Sequence, residues 1–161
     1  MSKVLFKFPL ITMVYIFCLP YLCMAWDTIS HVVIHSSNIK ASKLFYGKLC
    51  KFLGLKEILS DKTHVAYANE SFSLWITQRP IKKGKPVRGS IAGYDHMAFS
   101  ATSKNQVDAL QMLLDKERFR VLYPAEVHPE YSPGYYSVSF FDPDDTILEF
   151  VYLPKSKNTY G

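Results

Sequence analysis

The sequence predicts an α+β domain built from two βαβββ halves, and three observations carry that prediction. One order of elements, a strand, a helix and then three short strands, is read twice along 161 residues. The two readings align residue on residue: His31-Val32-Val33-Ile34 matches His96-Met97-Ala98-Phe99, an offset of 96 − 31 = 65. A basic stretch bearing proline and glycine, RPIKKGKPVRGSIAG, separates them as a linker would.

The first half, residues 28–78, opens with the strand TISHVVIH. A helix is predicted from Asn38 to about Leu53, because Ala41, Leu44, Phe45, Leu49 and Phe52 recur at helical spacing. Ser37 or Asn38 can cap its start, and Gly54 stands where helices commonly end. LKEILS, HVAYA and FSLWIT read as three strands. After a linker over residues 79–92, the second half, residues 93–154, opens with the strand YDHMAFSA. Its helix runs from Lys104 to Lys116 with Val107, Leu110, Leu113 and Leu114 on one face, and strands follow around FRVLY, YYSVSFF and TILEFVY. Residues 155–161 form a tail.

Residues 1–25 read as a secretory signal rather than as part of the fold. Lys3 and Lys7 precede an uncharged run from Phe8 to Ala25, and Cys23-Met24-Ala25 is an acceptable cleavage site. The expected location is therefore exported, periplasmic or secreted; the alternative is a membrane anchor through the same segment, whose helix Pro9 and Pro20 would weaken. Cleavage leaves Cys50 as the one cysteine, without an internal disulfide partner, and its place in the helical pattern reads as core packing. The formal charge is +5 for the whole chain, with 48% hydrophobic and 20% charged residues. That composition argues against disorder, a fibre or a repeat array, and so small a basic excess without a stripe argues against nucleic acid.

Strand alternation assigns faces. Val32 and Ile34, Met97 and Phe99, Leu74 and Ile76, and Leu148 and Phe150 form apolar faces suited to cover by a helix. The opposite face takes His31 and His35 in the first half and His96 in the second, with Trp75 and Glu149 at matching places on the closing strands. Taken singly, His31 and His96 each read better as half-buried histidines bonded to backbone than as ligands. Glu149 is harder to place that way, because a carboxylate between Leu148 and Phe150 is costly unless paired.

At these residues the chain resembles the vicinal oxygen chelate superfamily, over residues 28–154. HVVIHSSNIKASKLFYGKLCKFLGL is similar to the family's first module, and SPGYYSVSFFDPDDTILEF to its Tyr-rich strand, Asp-Pro-Asp turn and glutamate-bearing last strand. The resemblance implies paired βαβββ modules forming a cup-shaped mixed sheet around a divalent metal, with ligand positions at His31, Trp75, His96 and Glu149. Trp75 cannot ligate, which leaves His31, His96 and Glu149 and argues against classical glyoxalase I activity. Asp145 replaces the turn glycine, a modest departure because aspartate tolerates left-handed backbone.

Two histidines and one carboxylate suit Fe, Mn, Zn or Ni with open positions for a ligand. The implied function is that of a metalloprotein acting on a small oxygenated molecule, as a dioxygenase, lyase or thiol-transferase-like enzyme. The alternative is a metal-free sequestering protein of the bleomycin-resistance type. His35 is a candidate catalytic base, and Trp75, Arg79, Tyr131, Tyr135 and Tyr136 are candidate substrate contacts. The resemblance also admits a homodimer, since many members of that superfamily share sheets between chains, although no residue of this sequence points to one.

Overall fold

The computed structural model describes residues 29–79 and 95–154, so the expected signal (residues 1–25), most of the linker and the tail lie outside the described residues. The order is β1 (His31–Ser36), α1 (Ile39–Phe52), β2 (Lys56–Ser60), β3 (His64–Ala68) and β4 (Ser73–Gln78). The second module follows as β5 (His96–Ala101), α2 (Lys104–Glu117), β6 (Val121–Val127), β7 (Tyr136–Phe141) and β8 (Ile147–Tyr152). The doubled βαβββ order read from the sequence is thus the order of the α+β fold. Among the described residues no helix is long and apolar enough to cross a membrane.

Each module makes its own four-stranded mixed sheet, β1-β4-β3-β2 and β5-β8-β7-β6. The first strand runs parallel to the last, and the other neighbours are antiparallel. The registers bear out the internal alignment, because Val33 partners Trp75 and Ala98 partners Glu149. Trp75 therefore occupies in the first module the place that Glu149 holds in the second.

Helix α1 begins because the Asn38 side chain accepts hydrogen bonds from the Lys40 and Ala41 amides. It ends at Gly54, whose φ of 77° follows the last helical turn. Its buried residues do not serve its own sheet alone. The Phe45 ring lies 4.8 Å from Phe119 and 6.2 Å from Phe140, and Phe52 meets Phe150 edge-on at 5.8 Å. One core cluster consequently contains residues of both modules, including Leu49, Leu74, Leu110 and Leu148. Cys50 belongs to it, and burial pushes its thiol up to about 12, so it stays a neutral, unreactive core residue.

Polar ties reinforce this joint. Both Asp144 carboxylate oxygens accept from the Ser37 amide, at 3.1 and 3.0 Å, just ahead of α1. The Tyr46 hydroxyl donates at 2.7 Å to Asp142, a buried carboxylate that also accepts from the Asp144 and Thr146 amides. The same turn places Asp145 at φ 68°, the left-handed backbone expected where the chain lacks glycine. Tyr46→Phe keeps the ring and leaves one buried carboxylate oxygen short of a donor. It is expected to destabilise the fold by about 1–3 kcal/mol, read from the urea midpoint at unchanged slope.

Candidate functional site

The sheet face opposite α2 carries the polar residues of the second module. On β5 and β8 the alternation directs His96, Ala98 and Glu149 to that face, and Ser139 of β7 lies beside Glu149 in register. A cavity of about 730 Å³ opens there, lined by His96, Glu149, Tyr135, Tyr131, His128 and Glu126 among others. Strand β6 reaches it by breaking alternation. Register shifts between Val121 and Tyr123 and between Tyr123 and Glu126 let Leu122, Tyr123, Glu126 and Val127 all line the same space.

Glu149 is 6% exposed, and each of its oxygens has a polar neighbour. Tyr135 donates its hydroxyl to Oε1 at 2.9 Å, and Nε2 of His96 lies 3.2 Å from Oε2. On the far side of the imidazole, Nδ1 lies 2.9 Å from Oδ2 of Asp95. The result is a run of groups, Tyr135, Glu149, His96 and Asp95, in which each fixes the next. Burial, and then the hydrogen bond to Glu149, hold the Tyr135 phenol well above its ordinary value, so it remains a donor at all moderate pH.

This geometry suits a metal on one side. Two cis ligands about 2.1 Å from a divalent ion stand about 3 Å apart, close to the Nε2–Oε2 separation observed. A carboxylate on the second nitrogen of a ligating histidine and a donor on the second oxygen of a ligating carboxylate are the usual outer supports of such sites.

The first module does not complete the group within one chain. Strand β1 pairs with β4 and β5 with β8, so His31 and the His96–Glu149 pair stand on two different hydrogen-bonded sheets. His31 is exposed, with Nδ1 3.0 Å from the Ser30 hydroxyl, and among the described residues no three His, Cys, Asp or Glu side chains gather in metal-binding geometry. Of the three ligands that the resemblance implies, His96 and Glu149 are thus brought together, while His31 does not join them within the described residues of one chain. Packing of α1 against the second sheet sets the modules' relation, and strand parity cannot report it.

The remaining candidates divide. Tyr131 and Tyr135 line the cavity. Tyr136, the next residue, turns to the helix side, where its hydroxyl donates to Asp108 at 2.6 Å and Lys104 sits 5.3 Å above its ring. It is a packing residue, which alternation along β7 alone would have separated from Tyr135. His35 is exposed on β1, and Trp75 is half-buried on β4 with its indole N–H donating to Ser73 at 3.1 Å. Arg79 opens the linker just after β4, its amide bonded to the Ser36 carbonyl. None of those three residues lines the cavity of the second module.

Several cavity residues escaped the sequence reading, His128 among them. The His128 Nδ1 lies 3.0 Å from Oε1 of Glu130, and its ring packs against Tyr131 and Tyr135 at 5.6 and 6.0 Å. The signal was the His-Pro-Glu-Tyr spacing at the entry to β7, which supplies a histidine and its orienting carboxylate two residues apart. The loop depends on Gly134, at φ 82°, where an added Cβ would come within 2.6 Å of the Pro154 ring. Gly134→Ala is expected to cost about 1–3 kcal/mol in a thermal melt, through left-handed strain and this clash.

A profile of the glyoxalase/bleomycin resistance protein/dioxygenase superfamily matches residues 28–150. The chain belongs to that superfamily. Protein YqjT of Bacillus subtilis (strain 168), an uncharacterized protein, is 34% identical over 124 residues, which cover 75% of this chain and 95% of YqjT. Among solved structures, a candidate glyoxalase from Bacillus halodurans superposes with a TM-score of 0.69 at 26% identity, over 78% of this chain and 96% of that one. A lactoylglutathione lyase from Agrobacterium tumefaciens gives 0.56 at 21% identity, over 77% and 92%, a likeness that speaks to the fold alone. The superfamily includes enzymes and often uses a divalent metal.

Proposed function

We propose that this protein is an exported, metal-dependent enzyme acting on a small oxygenated molecule, by dioxygenase, lyase or thiol-transferase-like chemistry. The observation that carries the reading is the 3.2 Å approach of His96 Nε2 to Glu149 Oε2 inside a ligand-sized cavity, with Asp95 and Tyr135 orienting the pair. His96 and Glu149 would hold the ion. A divalent ion there supplies Lewis-acid polarisation of vicinal ligand oxygens. The chain's own groups do the rest. Tyr135 keeps Glu149 in place, and His128, fixed through Nδ1 by Glu130, leaves its second ring nitrogen for proton exchange with the ligand.

Two protein donors are too few for a tight site, and His31 of a second copy is the third. His31 stands in its module where His96 stands in the other, and it lies on β1, which among the described residues pairs on one side alone. Strand β5 is the corresponding edge of the second sheet, and exposed Val33 and Ile29 add apolar surface beside β1. Export rests on the charged start and apolar run of residues 1–25.

Titration of the chelator-stripped protein with Fe(II), Mn, Zn and Ni tests the metal reading. Binding of about one ion per chain by at least one of these metals is expected, and failure of all four overturns it. A metal-free binding protein is the second reading. It is favoured by the absence, among the described residues of one chain, of any three-ligand group, and by the mutual satisfaction of His96 and Glu149.

A further inference from the structure

We propose that the second-module cavity takes a cationic small molecule, an amine or quaternary ammonium head, seated against the rings of Tyr131 and Tyr135. The inference rests on the reading of this cavity as the ligand site, and it adds the ligand's charge class.

The wall is aromatic and held in place before any ligand arrives. Tyr131 and Tyr135 meet edge-on at 5.3 Å, and His128 packs against both. Tyr131 is 68% exposed, so its ring is available to a ligand rather than used up in the core, and Tyr123 adds a further ring from β6. Aromatic faces are electron-rich and attract cations, most strongly where water is partly excluded.

Charge then decides between cation and anion. The described lining residues include four carboxylates, Asp95, Glu126, Glu130 and Glu149, and neither lysine nor arginine. That contrasts with a chain whose net charge is +5. Glu149 is engaged by His96 and Tyr135, so Glu126 and Glu130 set the field at the aromatic end. A bond from its own backbone amide, and then its contact with His128, hold the Glu130 carboxyl below its ordinary range, so it is charged at neutral pH. An anionic ligand would meet repulsion from these groups, and a neutral one would gain only packing.

Choline and its uncharged isostere 3,3-dimethylbutan-1-ol, with benzoate as the anion, separate the possibilities by calorimetric titration of the full-length protein. The titrations are run on chelator-stripped and metal-loaded samples whose metal content is measured. Saturable choline binding at least tenfold tighter than that of the isostere is expected, with benzoate weakest. Tyr131→Ala and Glu130→Gln, both at exposed positions and checked for native circular dichroism, are each expected to weaken choline binding at least fivefold. Equal affinity for choline and the isostere, preference for benzoate, or no choline saturation by about 10 mM overturns the proposal, whatever the metal content. Choline preference in a protein that takes up no metal supports this proposal and sinks the metal reading alone.

Discussion

His96→Ala is expected to abolish stoichiometric metal binding, with affinity for the best ion falling at least a hundredfold. Metal content after dialysis checks it. The size of the effect follows from the geometry. His96 is 43% exposed at its side chain, so alanine leaves little cavity in the core and the fold should survive. Glu149 is then left in its buried place with one of its two partners gone. A site with so few donors cannot lose one and keep its ion, whereas loss of an outer support commonly costs ten- to a hundredfold. Unchanged metal content in the variant would remove His96 from the ligand set, and with it the reason to link this cavity to metal chemistry.

Mixing His31→Ala and His96→Ala chains after unfolding and refolding together is expected to restore metal to about a quarter of the sites, while each variant alone restores none. The expectation follows from the two separate sheets. If each site takes His96 and Glu149 from one chain and His31 from another, a mixed dimer holds one intact site and one doubly damaged site. Random pairing makes half the dimers mixed, and half of their sites are whole. Light scattering on the unmutated protein should give a dimer in the same buffer. A monomer that binds metal, or complementation that fails although mixed dimers form, would show that His31 acts within its own chain or not at all.

How far the sequence carries these questions depends on the range of the interaction concerned. Period-two and helical spacing are local, so the eight strands and two helices of the described residues were legible, most with ends shifted by three residues or fewer. Strand β6 is the longest departure, running to Val127 where FRVLY ended the reading at Tyr123. Its two register shifts explain this, since a bulged edge strand loses the alternation that a reader follows. The internal duplication was legible for the same local reason, and it correctly equated Trp75 with Glu149 through their partners Val33 and Ala98.

By itself the sequence determined the module, its repetition and the side of each sheet on which His31, His96 and Glu149 stand. Only the tertiary structure decided that Glu149 reaches His96 and Tyr135 while His31 remains on a different sheet, and that His128 joins the cavity. The physical reason is that parity specifies a face within a sheet but carries no information on which faces meet. That relation is set by Phe45 and Phe52 of α1 packing on Phe119, Phe140 and Phe150, contacts between residues about 75 to 100 positions apart whose apolar character shows in the sequence and whose partners do not.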